Sequence, residues 1–254
     1  MSTTATDRCK CGCSDETLAE YTYFRQRQIV MAEDFTQDQS YARYKRRMHN
    51  RMLHGWGVVC GCNVHYDSAW NLTVESGYVL DPMGDDIYIP AACTFDIRRR
   101  GFDGDSVDPC PQQTDPWCSD VTVQPPANIE LYLAIKYAQC KSRPVRATGC
   151  GCRGSANGHG GDVACEYSRI RDSYSLQVLR ELPRSHEQLS SAPPDILSLI
   201  SQSGTPECPK CPPDAWVVLA TVTITDPQKG TLAVKLTNRR QVLSLAGFYY
   251  LAAT

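Results

Sequence analysis

The sequence predicts an α+β fold that is mostly β, with an N-terminal helix packed against a twisted antiparallel sheet that closes toward a sandwich or barrel and carries long cysteine-rich loops. Apolar residues recur at helical spacing over residues 35–53, and short runs with a period of two follow from residue 57. The third observation is the cysteine count, 14 among 254 residues, which requires a chemical explanation.

Composition divides the chain into three regions. Residues 1–20 form a cysteine-rich tail without helical or strand periodicity, which we expect to be flexible. Residues 21–56 form the N-terminal helical segment. Residues 57–254 form the β-rich domain, which is interrupted by cysteine-rich insertions at 140–165 and 183–213.

The predicted helix carries an apolar stripe and an ordered distribution of charge. Acidic residues lie toward its start and basic residues toward its end, as the helix dipole favours. Gly55 follows, where a left-handed cap is expected. Steps of three, four and four residues place four side chains on one stripe, namely Tyr41, Tyr44, Met48 and Met52. We expect this stripe to bind a neighbouring subunit or to pack on the chain's own sheet.

A basic run occupies the same helix. It comprises Arg43, Lys45, Arg46, Arg47 and Arg51. Such a run is typical either of a face that contacts phosphate or an acidic partner, or of a solvated face. No aromatic stacking motif accompanies these charges, so we expect no nucleic-acid binding and assign Arg47 to partner docking.

The β-rich domain begins with short strands that are separated by turn residues. We predict an antiparallel meander over residues 58–66, 71–75, 77–80 and 86–90. Asp85 and Asp86 are assigned to turn chemistry rather than to catalysis. Further strands are predicted at 129–138 and 174–179, and a hairpin at 216–237.

The two cysteine-rich insertions contain a candidate structural zinc site. Cys208 and Cys211 have the two-residue spacing that lets two thiolates reach one tetrahedral ion. Other ligands of the right type lie in the glycine-rich insertion, namely Cys150, Cys152, Cys165 and His159. The alternatives are a disulfide cluster and unpaired reduced thiols. The N-terminus has no export signal, and a reducing cytosol favours metal over disulfides.

A second thiol cluster is possible near the start of the domain. Cys60 and Cys62 lie two residues apart on a predicted strand and would share a face. The tail cysteines Cys9, Cys11 and Cys13 are candidates to join them. The alternative, which we favour, is that Cys60 is a small buried residue and the tail is mobile.

Whole-chain properties and missing motifs exclude several function classes. The formal net charge is -2, which argues against a dedicated polyanion binder. No run approaches the length of a membrane span. The chain lacks G-x-S-x-G, Walker A and H-E-x-x-H motifs, and no G-x-G-x-x-G directly follows a predicted strand, so we predict that it is not an enzyme.

Several blocks of sequence resemble structural proteins of phage-tail-like contractile injection systems. The most distinctive is Gly55-Trp-Gly-Val-Val-Cys-Gly61, and the stretches 24–62, 76–90 and 165–174 are similar too. The resemblance touches most of residues 24–237, but not the cysteine-rich N-terminus. It implies a non-enzymatic subunit at the baseplate, fibre or periphery of such a particle.

The resemblance and the residue patterns together predict an assembly protein. Its expected partners are other subunits of a large particle. We also expect the chain to form homo-oligomers. We expect assembly in the cytoplasm, and leave open whether the particle is released or docked at a membrane. The alternative function is a cysteine-rich zinc metalloenzyme or redox protein that uses the same cysteines and His159.

Overall fold

The computed structural model describes residues 19–98, 128–146, 165–187 and 208–242. Over these residues the chain forms a long N-terminal helix, a four-residue helix and ten strands, all of which pair antiparallel. The predicted fold class, mostly β with an N-terminal helix, is confirmed. The tail at 1–20 lies almost wholly outside the described residues, as do large parts of both cysteine-rich insertions.

The helix, α1, spans Ala32–His49 and continues into a π-helical turn at Asn50–His54. The backbone N–H of Met31 donates to the Asp34 carboxylate at 2.9 Å, which is one half of a capping box. This cap explains why the helix begins three residues before the predicted start. Gly55 follows the π-helical turn with φ 72°.

The first six strands form two three-stranded sheets. Their bounds are Gly57–Gly61 (β1), Val64–Ser68 (β2), Asn71–Val74 (β3), Gly77–Leu80 (β4), Asp86–Ile89 (β5) and Cys93–Asp96 (β6). The orders are β1-β4-β5 and β2-β3-β6, so the chain alternates between sheets instead of forming the predicted meander. The first crossing occurs at Gly61 and Cys62, whose positive φ angles interrupt the extended backbone.

The third sheet has four strands in the order β10-β9-β7-β8. Their bounds are Glu130–Arg146 (β7), Cys165–Leu179 (β8), Val217–Asp226 (β9) and Thr231–Lys235 (β10). The predicted β9–β10 hairpin is confirmed. Strands β7 and β8 run further than predicted, because their pairing continues into the first insertion as far as Arg146 and Cys165.

All three sheets contribute to one hydrophobic core. Aliphatic side chains with no more than 1% exposure come from each sheet, and examples are Ile87, Leu72, Leu133 and Leu219. The described strands form open sheets and do not close into a barrel. A short helix, α2, spans Arg184–Glu187 beside the start of β9. Neither described helix is long and apolar enough to cross a membrane.

Candidate functional site

Residues 19–31, here called the N-terminal arm, fold back along α1. The Thr22 hydroxyl donates to the backbone carbonyl of Asp34 at 3.0 Å, and the Gln37 amide donates to the carbonyl of Glu20 at 2.9 Å. A turn within the arm, with Arg27 at φ 65°, reverses the chain before the helix begins. The arm and the helix therefore form one hairpin-like unit.

Aromatic contacts reinforce this unit but do not bury it. The rings of Tyr21 and Tyr41 lie 5.1 Å apart between centroids, and those of Phe24 and Phe35 lie 6.4 Å apart. Helix α1 has no buried residue at all. Large apolar side chains remain exposed along the unit, namely Tyr21, Tyr23, Phe24, Ile29, Val30, Met31 and Phe35. Ile29 reaches 83% exposure, so this apolar surface faces solvent.

The C-terminal half of α1 is attached to the β-rich domain by an ionic anchor centred on Asp85. Arg43 and Arg47 both donate to its carboxylate, and the Nε of Arg47 lies 2.8 Å from Oδ1. Asp85 is 2% exposed, while both arginines keep about a quarter of their side-chain surface in contact with solvent. A buried carboxylate with two guanidinium partners is fully compensated, so the attachment is specific.

The turn that carries Asp85 fits closely against the helix. The Asn50 amide donates to the carbonyl of Gly84 at 2.9 Å. Gly84 has φ 90°, and a Cβ added there would overlap the backbone carbonyl of Arg47. Glycine is therefore required both for the turn and for close approach of the helix.

Asp81 organises the same turn from the inside. Its Oδ1 accepts the backbone N–H of Asp85 at 2.8 Å, and the residue is 1% exposed. Burial, followed by the charge of Asp85, raises the pKa of Asp81 to about 7. The turn therefore holds one firmly paired carboxylate beside one whose pKa lies near neutral pH.

A further contact links the helix to the third sheet. The Arg43 guanidinium lies over the ring of Tyr137 at 4.7 Å from its centroid. The Tyr137 hydroxyl donates to Asp172 on the adjacent strand. Burial, followed by this hydrogen bond, raises the pKa of Tyr137 to about 12, so the hydroxyl remains a donor. Arg43 thus joins the helix to two separate parts of the domain.

The predicted partner-binding residues lie on the surface of this unit. Tyr41, Tyr44 and Met48 are half-buried, and Met52 is exposed on the π-helical turn. The ring of Tyr41 contacts the arm through Tyr21. Arg47 forms an ion pair within the chain, with Asp85. Their predicted role in binding a partner stays a prediction.

The predicted zinc ligands fall into two groups. Cys150, Cys152 and His159 lie outside the described residues. Cys208 and Cys211 are exposed in the extended segment before β9. No group of three or more potential metal ligands occurs in the part of the chain that the structure describes. Cys140, at the start of the first insertion, is disulfide-bonded.

The structure does not bring Cys165 together with Cys208 and Cys211. Cys165 pairs with Arg146 at the far end of β7, whereas β9 begins opposite Ile135. Eleven residues of strand separate these levels, or about 36 Å. Cys211 lies three residues before Asp214, which hydrogen-bonds to Ser185 near the start of β9. The six-residue step from Cys211 to Val217, the first residue of β9, spans at most about 20 Å.

The second predicted thiol cluster is partly described. Cys9, Cys11 and Cys13 lie outside the described residues, Cys60 is exposed and Cys62 is buried. Burial raises the pKa of Cys62 to about 11, and the nearby thiols of Cys60 and Cys93 act in the same direction. A protonated, buried thiol is typical of a structural cysteine rather than a nucleophile.

A buried network of Ser185, His186 and Asp214 resembles a catalytic triad in composition but not in geometry. The Ser185 hydroxyl donates to Asp214 at 2.8 Å and lies 3.3 Å from Nδ1 of His186. The Nε2 atom of His186 accepts the backbone N–H of Val218 at 3.2 Å. That bond occupies the ring nitrogen that would act as a base, and His186 is 3% exposed. The network therefore fixes α2 to β9.

Sequence patterns missed the two features that organise this surface. Asp85 appeared as a turn residue, because its arginine partners lie 38 and 42 positions earlier in the chain. The arm was not separated from the helical segment. The consecutive apolar residues Ile29, Val30 and Met31 directly before the helix are the signal that would have identified it.

The chain was also compared with known proteins. Its sequence matches none of the protein-family models in a scan against them, and a search of curated proteins gave no match either.

Proposed function

We propose that this protein is a non-enzymatic assembly subunit that binds neighbouring subunits through its N-terminal arm and helix α1. One observation carries the proposal. An 18-residue helix with no buried side chain lies beside seven large exposed apolar residues in residues 19–35. Apolar surface of this extent is typical of an interface.

The physical argument concerns what stabilises the helix. Most helices in proteins are stabilised by the packing of an apolar face rather than by intrinsic helix propensity. Helix α1 has the anchor at Arg43 and Arg47 in its second half, whereas the side-chain contacts of its first half within the described residues are with the arm. Burying that half against another subunit supplies the missing packing.

The particle in which we place this subunit is of the phage-tail-like contractile injection type, at the baseplate, fibre or periphery. This assignment is supported by the resemblance of residues 24–62 and 76–90. Residues that carry the resemblance include the helix anchor itself, since Arg47, Gly84 and Asp85 fall in these two blocks.

We further propose a structural zinc ion that stiffens the loops. We draw its ligands from Cys208 and Cys211 with Cys150, Cys152 and His159, and leave out Cys165 because the strand position of Cys165, opposite Arg146, is far from the start of β9. Zinc accepts this combination of thiolate and imidazole ligands. The segment that carries Cys208 and Cys211 is connected at its other end to the buried network of Ser185 and Asp214.

The assembly proposal is tested in cells that produce the protein. A tagged wild-type chain is expected to co-purify with a particle of high mass, and Ile29→Asp with Tyr23→Asp is expected to shift the chain to low-mass fractions. Because both side chains are exposed, the free energy of unfolding should stay within about 0.5 kcal/mol of the wild-type value. Tyr88→Asp, at an exposed residue on β5, is the matched control. Recovery of the wild-type chain only in low-mass fractions would contradict the proposal.

A further inference from the structure

Among the described residues, β7 and β8 pair only with each other beyond the level at which β9 begins, and they form a two-stranded ribbon there. Its outer part, residues 139–143 and 167–171, contains four basic residues and no acidic one. These are Lys141, Arg143, Arg169 and Arg171, and all four are exposed. No carboxylate of the described residues lies within ion-pair distance of them.

One face of the ribbon presents its charges in a regular row. Tyr167, Arg169 and Arg171 alternate along β8 and therefore point to the same side. The spacing between successive members of the row is about 6.7 Å. Tyr167 is exposed by 50%. Arginine and tyrosine are enriched in protein interfaces, so this row has the composition of a contact surface.

The exposed start of α1 has the complementary pattern. Residues 29–38 contain three acidic residues and no basic one. Asp34 and Asp38 lie four residues apart and share one face of the helix, and Met31 is the residue that immediately precedes the helix. The four-residue step from Asp34 to Asp38 is about 6 Å along the helix axis, close to the spacing of the arginines on the strand.

We infer that the start of α1 in one copy of this chain binds the ribbon of a second copy. This inference rests on the proposed function and names one of its partners. In the contact Met31 lies against Tyr167, Asp34 pairs with Arg169, and Asp38 pairs with Arg171. Within a single chain none of these pairs forms among the described ion pairs.

The geometry of the contact determines the kind of assembly. The helix start and the ribbon are different surfaces, so the interface is heterologous and each copy offers one of each. Such contacts produce rings when the rotation closes and filaments when it does not. A particle built by stacking or by rotational symmetry uses subunits of this kind.

The test exchanges the charges of one pair and follows self-association of the full-length chain by sedimentation velocity. Asp38→Arg and Arg171→Asp are each expected to weaken association about tenfold, because each places like charges opposite one another. Mixing the two variants is expected to restore association, since both contacts in the mixed assembly again join opposite charges. The double variant Asp38→Arg with Arg171→Asp is expected to associate as wild type does.

A matched control distinguishes this pairing from a general effect of charge. Lys141 opposes Ile170 and lies on the other face of the ribbon, so Lys141→Glu is expected to leave self-association unchanged. Equal weakening by Lys141→Glu, or failure of the mixture to associate, overturns the inference. A wild-type chain that sediments as a monomer at every concentration overturns it as well.

The two proposals fail in distinguishable ways. A monomeric wild-type chain that still co-purifies with the particle removes the second copy as the partner and leaves the assembly function in place. A chain that self-associates through Asp38 and Arg171 but enters no particle supports the contact and removes the assembly function.

Discussion

Asp85 has a role that its position in a turn does not reveal. Adjacent Asp85 and Asp86 differ in environment, because the first is buried between two arginines and the second pairs with the half-exposed Arg46. Ion pairs at exposed positions contribute about 0–1 kcal/mol, whereas removing one member of a buried pair costs more. Burial, rather than residue type, therefore determines which carboxylate holds the helix.

At the same scale, the buried His186 couples stability to pH. Burial lowers its pKa to about 4, below the ordinary value of 6.5. The unfolded chain then binds more protons than the folded chain between these values, so stability present above pH 6.5 is lost as the pH falls toward 4.

We predict that lowering the pH from 7.5 to 5 costs the wild type about 2 kcal/mol through this residue. The variant His186→Gln should lack this pH-dependent decrease in the free energy of unfolding, since the glutamine amide does not titrate. The amide oxygen can still accept the backbone N–H of Val218. Urea unfolding at both pH values measures the difference between the two proteins. His54→Gln, at an exposed histidine, is expected to behave as wild type, and an identical pH dependence in His186→Gln would refute the prediction.

At the scale of elements, α1 is a helix held from one end. Its anchor lies at Arg43, Arg47 and Asn50, and its start carries the exposed apolar side chains. The ribbon is similarly asymmetric, because its base belongs to a four-stranded sheet, while no third strand pairs with its outer part in the portion of the chain that the structure describes. Both elements thus combine a fixed base with an unpartnered surface, which is the arrangement a docking element requires.

The strength of the helix anchor can be measured with one substitution. Asp85→Asn removes the carboxylate charge from two guanidinium groups and should lower the free energy of unfolding by about 1–3 kcal/mol. Hydrogen exchange across residues 32–54 should accelerate, because the helix detaches before the core unfolds.

Asp86→Asn is the matched control for the anchor, since its partner Arg46 is 52% exposed. We expect a change within about 0.5 kcal/mol for this variant. Equal effects of the two substitutions on hydrogen exchange would show that the anchor does not depend on the buried carboxylate.

At the scale of the whole molecule, the proposed zinc ion and the shared hydrophobic core have different roles. The shared core is aliphatic and well buried, so the sheets do not need a metal ion to stay together. The zinc proposed at Cys208 and Cys211 acts instead on the segment that leads from the second insertion into β9.

We predict about one zinc ion per chain in protein purified without chelator. The pair Cys208→Ser and Cys211→Ser should lose it, and elemental analysis of the purified chains measures the content. Cys165→Ser is the control, because its strand position places it far from Cys208 and Cys211, and it should retain the metal. Wild-type protein without bound metal and with Cys208 readily alkylated would remove the proposed site.

Local pattern was sufficient to predict much of the fold. The helix, the β9–β10 hairpin and the strands around 71–80 and 86–89 follow from spacing, caps and turn residues that lie close together in the chain. The ribbon was underestimated, since residues 139–143 and 167–171 are polar and lack the apolar alternation that marks a strand with one buried face. Backbone pairing between β7 and β8 holds these residues in an extended conformation although neither strand has a buried face there.

The sequence by itself determined the fold class, the position of the helix and the apolar stripe on it, because each depends on interactions over a few residues. Only the tertiary structure decided that β1 pairs with β4, that Arg43 and Arg47 bind Asp85, and that Cys165 lies far from Cys211. These outcomes depend on which surfaces share the core and which charges are buried. The residues that make these contacts lie dozens of positions apart in the chain, so local periodicity in the sequence does not predict them.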